Sequence, residues 1–173
     1  MEGSHVIEIF YSSFESKIGR IFIAATKNGL CRLCLCNKEN IFLKELKDGL
    51  KGEIEFNKSF THLEQYINIL RSYFQKKEKN LHLPVEFLFG TKFQKKVWMA
   101  LRKIPYGETR SYNFIAKSIS KNRASRAVGN AVGNNPIPII IPCHRVIRKN
   151  GNLGGFALGI EIKKKLLKVE SQL

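Results

Sequence analysis

The segment 136–142 constrains the fold of this protein more than any other part of its sequence. It contains three prolines in seven residues, and each proline lacks a backbone N–H and fixes φ near about −65°, which excludes a helix and favours an extended path. Isoleucines fill the positions between the prolines, so the path is predicted to be buried. Cys143 follows directly and is therefore delivered to a defined place.

Cys143 is a candidate nucleophile because of the residues beside it. A buried cysteine is ordinarily inert packing. Here His144 and Arg145 follow it, and an imidazole and a cation near the sulfur lower a thiol pKa from its reference value of about 8.5. Adjacent residues of an extended strand point in opposite directions, so a turn or a bridging water has to connect the sulfur with the imidazole.

The charge of the protein indicates a polyanionic partner. The formal net charge is +16; residues 1–85 carry 13 basic and 10 acidic side chains, whereas residues 86–173 carry 17 and 4. Such an excess favours nucleic acid through phosphate contacts and counterion release, although a lysine-rich solubilising surface has the same composition. The second half is the expected DNA-facing half.

The first half has the pattern of a small α/β domain. An antiparallel meander is predicted for three β-rich runs separated by turn residues, 6–11, 18–26 and 30–36. Apolar residues then recur three and four positions apart over 40–50 and 61–75, as on amphipathic helices. An extended stretch is predicted over 81–87, and Gly90 follows it shortly after. We place the domain boundary in this region and divide the sequence into domains 1–88 and 89–173.

The second half changes to short helices. A helix is predicted over 92–103, where apolar side chains fall on one side and a proline follows. Ser111 is expected to cap a helix over 112–118, and a tight turn leads to another helix that ends near Val132. Two short helices joined in this way, with basic residues on the second, indicate a helix-turn-helix.

Residues 90–170 also carry a series of specific motifs. These are Phe93-Gln94 with Val97-Trp98, Ile104-Pro105-Tyr106-Gly107-Glu108-Thr109, Ser111-Tyr112, Arg126-Ala127-Val128-Gly129, Asn134-Asn135-Pro136, Ile141-Pro142-Cys143-His144-Arg145-Val146-Ile147, Gly151, Leu153-Gly154-Gly155-Phe156, Leu166-Leu167 and Glu170. The series resembles the methylated-DNA–protein-cysteine methyltransferases, or O6-alkylguanine-DNA alkyltransferases. The resemblance, loose over 1–85, implies a ribonuclease-H-like α/β domain with a small antiparallel sheet, then a mainly α winged-helix domain containing the helix-turn-helix.

The resemblance implies an enzyme that repairs DNA by direct reversal. Cys143, deprotonated by His144 through a water, would take the alkyl group from O6 of guanine, and Glu170 would hold the imidazole. O4-alkylthymine is an expected second substrate. The thioether that forms has no easy exit, so each molecule would react once, and neither a cofactor nor a metal ion is expected.

The resemblance also implies how the damaged base reaches the sulfur. The partner would be double-stranded DNA carrying O6-alkylguanine, whose nucleotide rotates out of the stack. Arg126 matches the arginine that takes the vacated place, and Tyr112 matches the tyrosine that helps the rotation and hydrogen-bonds the leaving guanine. Asn135 matches a hinge asparagine of the active site. DNA-backbone contacts are implied for Asn113, Lys121 and Lys149.

A pocket for the alkylated base is implied as well. The resemblance gives its walls as Pro138, Val146, Phe156, Ala157 and Leu158. At 156–159 this protein has Phe-Ala-Leu-Gly, where many members have a tyrosine, a serine or glycine, and two glycines. The lost hydroxyls remove hydrogen bonds to the guanine and Leu158 adds bulk. Transfer is expected to persist, while the tolerance for large alkyl groups stays open.

Two other functions use some of the same residues. A cysteine hydrolase would employ Cys, His and Glu side chains but gives no reason for the basic second half. A non-catalytic lesion-binding or regulatory protein would explain the charge and the helices but not the sequence Pro142-Cys143-His144-Arg145. Replacing Cys143 separates these hypotheses.

The remaining expectations concern the cellular setting. No stretch reaches the roughly 18 apolar residues of a membrane span. Cys31, Cys34 and Cys36 lack the spacing of a zinc site and are interpreted as structural, which fits a reducing compartment. We therefore expect a cytoplasmic protein without a membrane partner that acts as a monomer, with cooperative assembly on DNA left open.

Overall fold

The protein divides into two compact units, Met1–Phe89 and Gly90–Leu173. A computed structural model describes residues 6–171. The boundary predicted from the sequence lay between residues 88 and 89. Among the described residues, no helix is both long and apolar enough to cross a bilayer.

The first unit is built on a four-stranded sheet. Its strands are β1 (Ile7–Ser16), β2 (Gly19–Thr26), β3 (Gly29–Leu35) and β4 (Ile54–Lys58), in the order β3-β2-β1-β4. The antiparallel pairs β1–β2 and β2–β3 confirm the predicted meander. Strand β4 lies parallel to β1, so the sheet is mixed and not wholly antiparallel. This strand was not predicted because it is only five residues long and none of its side chains is fully buried.

Two helices complete the first unit, α1 (Glu39–Asp48) and α2 (Phe60–Phe74). Both begin one residue before the predicted start, and their apolar faces are buried as the spacing indicated. The extended stretch 81–87 forms no regular strand. It is held to β3 by two backbone hydrogen bonds, from Leu30 N to Pro84 O at 2.9 Å and from Glu86 N to Leu30 O at 2.8 Å.

Gly29 is required where that stretch crosses the start of β3. Its φ is +143°, and a Cβ at this position would lie 2.6 Å from both atoms of the Pro84 backbone carbonyl. Gly29→Ala is therefore expected to lower the free energy of unfolding by at least about 2 kcal/mol in urea titrations followed by circular dichroism. The control is Gly133→Ala, a helical glycine whose Cβ would meet nothing within 4 Å. A loss no larger than in the control would contradict the steric argument.

The second unit is mainly helical. Its elements are α3 (Lys92–Leu101), β5 (Arg110–Ser111), α4 (Tyr112–Ser118), α5 (Ser125–Gly133), a 3₁₀ turn (Cys143–Arg145), β6 (Val146–Ile147) and α6 (Ile160–Glu170). Ser111 caps α4 by accepting a hydrogen bond from Phe114 N, as predicted. Helix α3 ends two residues before the predicted end. Trp98 is fully buried and its Nε1 donates to Ala131 O at 2.8 Å, which fixes α3 against α5.

The proline segment is buried and non-helical, as predicted, but it is not extended throughout. Its backbone turns at Ile139, where φ is +76°, and Ile141 N donates back to Ile137 O at 2.9 Å. Positive φ is unusual for a β-branched residue, so the surrounding packing holds it there. Proline restricts φ at its own position and the conformation just before it, which does not prevent a turn between two prolines.

Candidate active site

The turn of the proline segment places Cys143 at the start of the 3₁₀ turn, where its side chain is only 3% exposed. Asn135 braces this arrangement from the end of α5. Its Nδ2 donates to Ile141 O at 2.7 Å, and its Oδ1 accepts from Ile137 N at 2.9 Å. One amide side chain thus holds both sides of the turn that precedes the cysteine.

Burial raises the pKa of the Cys143 thiol to about 11, because the thiolate loses its hydration. The effects that oppose burial are a hydrogen bond from the Asn135 side chain, the charge of Lys163, and the N–H groups of Cys143 and His144. The expectation that the side chains of His144 and Arg145 lower this pKa was wrong. Both side chains form hydrogen bonds with Glu170 instead.

His144, Glu170 and Arg145 form a buried cluster. Nε2 of His144 lies 2.6 Å from Oε1 of Glu170, and both side chains are at most 1% exposed. Arg145 binds the same carboxylate with two donors, Nε to Oε2 and Nη2 to Oε1, each at 2.9 Å. Burial lowers the pKa of His144, which favours the neutral imidazole. With its Nε2–H donated to Glu170, the ring keeps a lone pair on Nδ1.

Residues 104–107 hold this cluster from the other side. Ile104 O accepts from Arg145 Nη1 at 2.5 Å, and Gly107 N donates to Glu170 Oε2 at 3.3 Å. The hydroxyl of Tyr106 donates to Val169 O at 2.9 Å. The motif after α3 therefore fixes the end of α6 and the guanidinium that pairs with it.

The cluster makes stability depend on pH. Burial alone would raise the pKa of Glu170, but the hydrogen bonds and charges of His144 and Arg145 lower it to about 2, from an ordinary 4.5. A carboxylate with a depressed folded-state pKa stabilises the fold above its unfolded pKa, and this contribution disappears as the pH falls towards the folded value. The shift corresponds to roughly 3 kcal/mol.

This prediction is checked by urea titrations at about pH 6.5 and about pH 3, followed through the single tryptophan, Trp98. Wild type should lose more stability on acidification than Glu170→Gln, which has no carboxylate to protonate. Equal losses in the two proteins would show that Glu170 does not carry the effect.

The second unit also contains a cavity of about 490 Å³. Its lining consists of Tyr112, Ser125, Arg126, Gly129, Val132, Gly133, Arg148, Gly155, Phe156 and Ala157. Four of these, Tyr112, Arg126, Phe156 and Ala157, were predicted as site residues. Burial raises the pKa of the Tyr112 hydroxyl, and so does the charge of Cys143.

The other predicted residues lie outside that lining. In the part of the protein that the structure describes, Pro138 and Val146 are buried, and Leu158 and Asn113 are partly buried. Lys121 and Lys149 are exposed. No group of three or more His, Cys, Asp or Glu side chains among residues 6–171 could hold a metal ion. Cys31 and Cys34 are buried, and Cys36 is partly exposed.

Two site residues were not predicted. Arg148 lines the cavity together with Arg126, and Lys163 is fully buried, with its Nζ donating to Val146 O at 2.6 Å. The spacing on α6 contained a signal for the lysine, since Lys163, Leu166 and Glu170 recur at three and four positions and share the buried face. A lysine at an apolar position of a helix is therefore worth testing as a functional residue.

Comparisons with known proteins identify both units of the protein. The ribonuclease-like domain and the DNA binding domain of 6-O-methylguanine DNA methyltransferase match residues 9–87 and 92–172. The methylated-DNA–protein-cysteine methyltransferase of Methanosarcina acetivorans is 45% identical over 168 residues, which cover 94% of this protein and 98% of the relative. The inducible methylated-DNA–protein-cysteine methyltransferase of Bacillus subtilis is 41% identical over 169 residues, with coverages of 95% and 91%.

A solved structure extends the similarity to three dimensions. Mycobacterium tuberculosis OGT in complex with DNA is 35% identical and has a TM-score of 0.77 over 93% of this protein and 92% of that one. The matches confirm the predicted resemblance and the predicted order of a ribonuclease-like α/β domain and a helical DNA-binding domain. This protein therefore belongs to the 6-O-methylguanine DNA methyltransferase family.

Proposed function

We propose that this protein repairs DNA by moving a methyl or larger alkyl group from O6 of guanine to Sγ of Cys143. One observation carries the proposal: a buried thiol is followed directly by an imidazole that a buried carboxylate orients at 2.6 Å. This is the order of nucleophile, base and orienting group in activated cysteines. O4-alkylthymine, which presents an alkyl group on a comparable oxygen, is the second proposed substrate.

The proton path is supported by an unsatisfied nitrogen. Nδ1 of His144 is buried and, among the described residues, has no hydrogen-bond partner. A bridging water would carry the proton of Cys143 to this lone pair, which is an acceptable geometry for a general base. As the S–C bond forms and the C–O6 bond breaks, the guanine leaves. Tyr112 hydrogen-bonds the departing base, and the thioether keeps the alkyl group.

The cavity of the second unit supports a flipped nucleotide as the substrate. A base inside a duplex cannot reach a thiol that is 3% exposed, so the nucleotide has to leave the stack. The cavity is bordered by α5, which carries Arg126, and by the Gly155–Ala157 loop. Arg126 would fill the vacated place in the duplex, and Asn113, Lys121 and Lys149 would contact the DNA backbone. Pro138, Val146 and Leu158 remain proposed pocket residues.

The deciding experiment is intact-protein mass after incubation with a duplex containing one O6-methylguanine, followed by peptide mapping. A gain of one methyl group per protein, confined to Cys143, would establish transfer and its single use. Binding of the lesion without any mass change in reduced, folded protein would favour the non-catalytic lesion-binding function. An acyl adduct on ester substrates would favour a hydrolase.

The role of Arg126 gives a separate prediction. The probe is a duplex with 2-aminopurine next to the lesion, whose fluorescence increases when the lesion nucleotide leaves the stack. Arg126→Ala should reduce this increase at saturating protein and slow transfer at least about tenfold. The reason is that the unstacked state costs a few kcal/mol, which Arg126 no longer offsets. Lys121→Ala is the matched control: it should weaken binding in a salt-dependent manner and leave flipping intact. Equal fluorescence changes in wild type and Arg126→Ala would show that Arg126 does not stabilise the flipped state.

The proposal includes the setting in which repair takes place. We place the protein in the cytoplasm, because its four cysteines are free. We propose that it binds DNA as a monomer through its strongly basic second half. Sedimentation with DNA of increasing length would separate single from cooperative binding.

A further inference from the structure

Arg148 is an exposed arginine that lines the cavity of the second unit together with Arg126. Among residues 6–171, neither guanidinium forms an ion pair with an aspartate or a glutamate. The described residues of the cavity lining include no carboxylate. Because an arginine side chain stays protonated in proteins, two positive charges border this cavity without a counter-ion from its walls.

The fold brings Arg148 next to Tyr112. Strands β5 and β6 are parallel, with Ser111 opposite Ile147, so the residues that follow them, Tyr112 and Arg148, leave the ladder at the same edge. A turn holds the backbone of Arg148 at this edge, because its N–H donates to Asn152 O at 2.8 Å. The guanidinium therefore extends from a hydrogen-bonded turn beside the tyrosine that is proposed to contact the departing base.

Gly154 allows these two side chains to approach the same point of the backbone. Its φ is +70°, and a Cβ at this position would lie 3.2 Å from the hydroxyl oxygen of Tyr112 and 3.5 Å from Cγ of Arg148. Gly154 directly precedes Gly155 and Phe156, which line the cavity. Burial raises the pKa of Tyr112, and the charge of Arg148 opposes this effect. The stem of Arg148 and the Tyr112 hydroxyl thus flank one position at the cavity wall.

The charge and the exposure of Arg148 indicate which part of a nucleotide it binds. A flipped nucleotide brings an uncharged base into the cavity and leaves a phosphate on each side of it at the surface. Arg126 is assigned to the vacated place in the duplex, so Arg148 is the remaining cation of the described lining. A guanidinium can donate two parallel hydrogen bonds to a phosphate. An exposed arginine suits a phosphate at the cavity mouth better than a group deep inside.

We propose that Arg148 binds a phosphate that flanks the flipped nucleotide and thereby holds this nucleotide in the cavity beside Tyr112. The inference rests on the proposed methyl transfer, because it requires the damaged nucleotide to leave the duplex. Arg148 forms no covalent bond and exchanges no proton in the reaction; it contributes one charge-assisted contact. Its neighbour Lys149 lies outside the described cavity lining and is proposed to contact the duplex backbone instead.

The experiment removes the charge from one partner at a time and measures affinity for a lesion duplex. All proteins carry Cys143→Ala, so that the O6-methylguanine stays intact during the titration. In the duplexes, an uncharged methylphosphonate replaces the phosphate directly 5′ or directly 3′ of the lesion. At one of these two positions it should weaken binding about tenfold in the parent protein and less than about twofold in Arg148→Met, because the contact is already lost there.

Two further variants and a second readout accompany this series. Arg148→Lys keeps the charge but lacks the planar fork, so it should retain part of the methylphosphonate effect. Lys165→Met replaces an exposed lysine outside the described cavity lining and should retain all of it. On the unmodified lesion duplex, Arg148→Met should reduce the slope of the logarithm of the binding constant against the logarithm of the salt concentration by about 0.9.

The inference and the proposed function fail in different ways. Equal methylphosphonate effects in Arg148→Met and its parent at both positions would overturn the inference even if the salt slope falls, since Arg148 would then act only through its general field. No effect at either position in the parent would overturn it as well. The same series, read as single-turnover transfer below saturation with Cys143 intact, checks the result without the alanine. If no methyl group is transferred, direct repair fails, and the binding series still decides whether Arg148 contacts the phosphate.

Discussion

Replacement of Cys143 by alanine is expected to abolish methyl transfer completely while DNA binding persists. In the proposed reaction the sulfur is the atom that forms the new bond, and alanine offers no nucleophile in its place. The Sγ atom fills little volume and the residue lies in a rigid turn, so the fold should lose no more than about 1–2 kcal/mol. Intact mass would show no methyl gain, and affinity for the lesion duplex should stay within about threefold, or about 0.7 kcal/mol.

The matched control for this variant is Cys36→Ser, since Cys36 is a partly exposed cysteine of the first unit. It should gain one methyl group as wild type does. A methyl group that appears on Cys143→Ala at another residue would mean that Cys143 is not the acceptor. Loss of DNA binding together with transfer would show that the cysteine turn also forms part of the binding surface.

Arg145→Met should lower the free energy of unfolding by about 3–5 kcal/mol. The variant keeps most of the side-chain volume but removes both donors to Glu170, which is 2% exposed, and also the donor to Ile104 O. A buried carboxylate that loses its cation retains the cost of dehydration without the compensating attraction. Urea titration at about pH 7, followed through Trp98, measures the loss in the unit that contains the cluster.

Two further variants sharpen this prediction. Arg148→Met removes an exposed arginine of the same segment and should change stability by no more than about 0.5 kcal/mol. In the double variant Arg145→Met/Glu170→Gln, the carboxylate is neutralised as well, so part of the lost stability should return. A loss below about 1 kcal/mol in Arg145→Met would show that His144 and Gly107 are sufficient to hold Glu170.

Local patterns were sufficient for much of the fold. The apolar spacing over 61–75 predicted α2 to within one residue at each end, and Ser111 marked the start of α4. These features depend on a few neighbouring residues, because helix periodicity and capping are local. Strand β4 escaped prediction for the opposite reason. Its pairing with β1 joins residues about 47 positions apart, such as Ile7 and Ile54, and its own five residues carry a weak pattern.

In the candidate site, too, some features were predicted from the sequence and others depend on tertiary packing. The motifs around Cys143 and Glu170 led to the pairing of His144 with a carboxylate 26 positions away, and the structure has this contact. The sequence alone predicted a thiol pKa lowered by its neighbours, whereas burial raises it to about 11. Desolvation depends on everything that is packed around the sulfur, and the residues adjacent to Cys143 in sequence do not report it.

By itself, the sequence determined the family, the helix pair of the second unit and the non-helical path of residues 136–142. Each of these follows from residue types at fixed spacing along the sequence. The tertiary structure decided the turn at Ile139, the parallel strand β4, and the burial of Lys163 against three carbonyls. These features arise where segments distant in sequence exclude water from one another, and the energy of a charge or a thiolate is set by that exclusion.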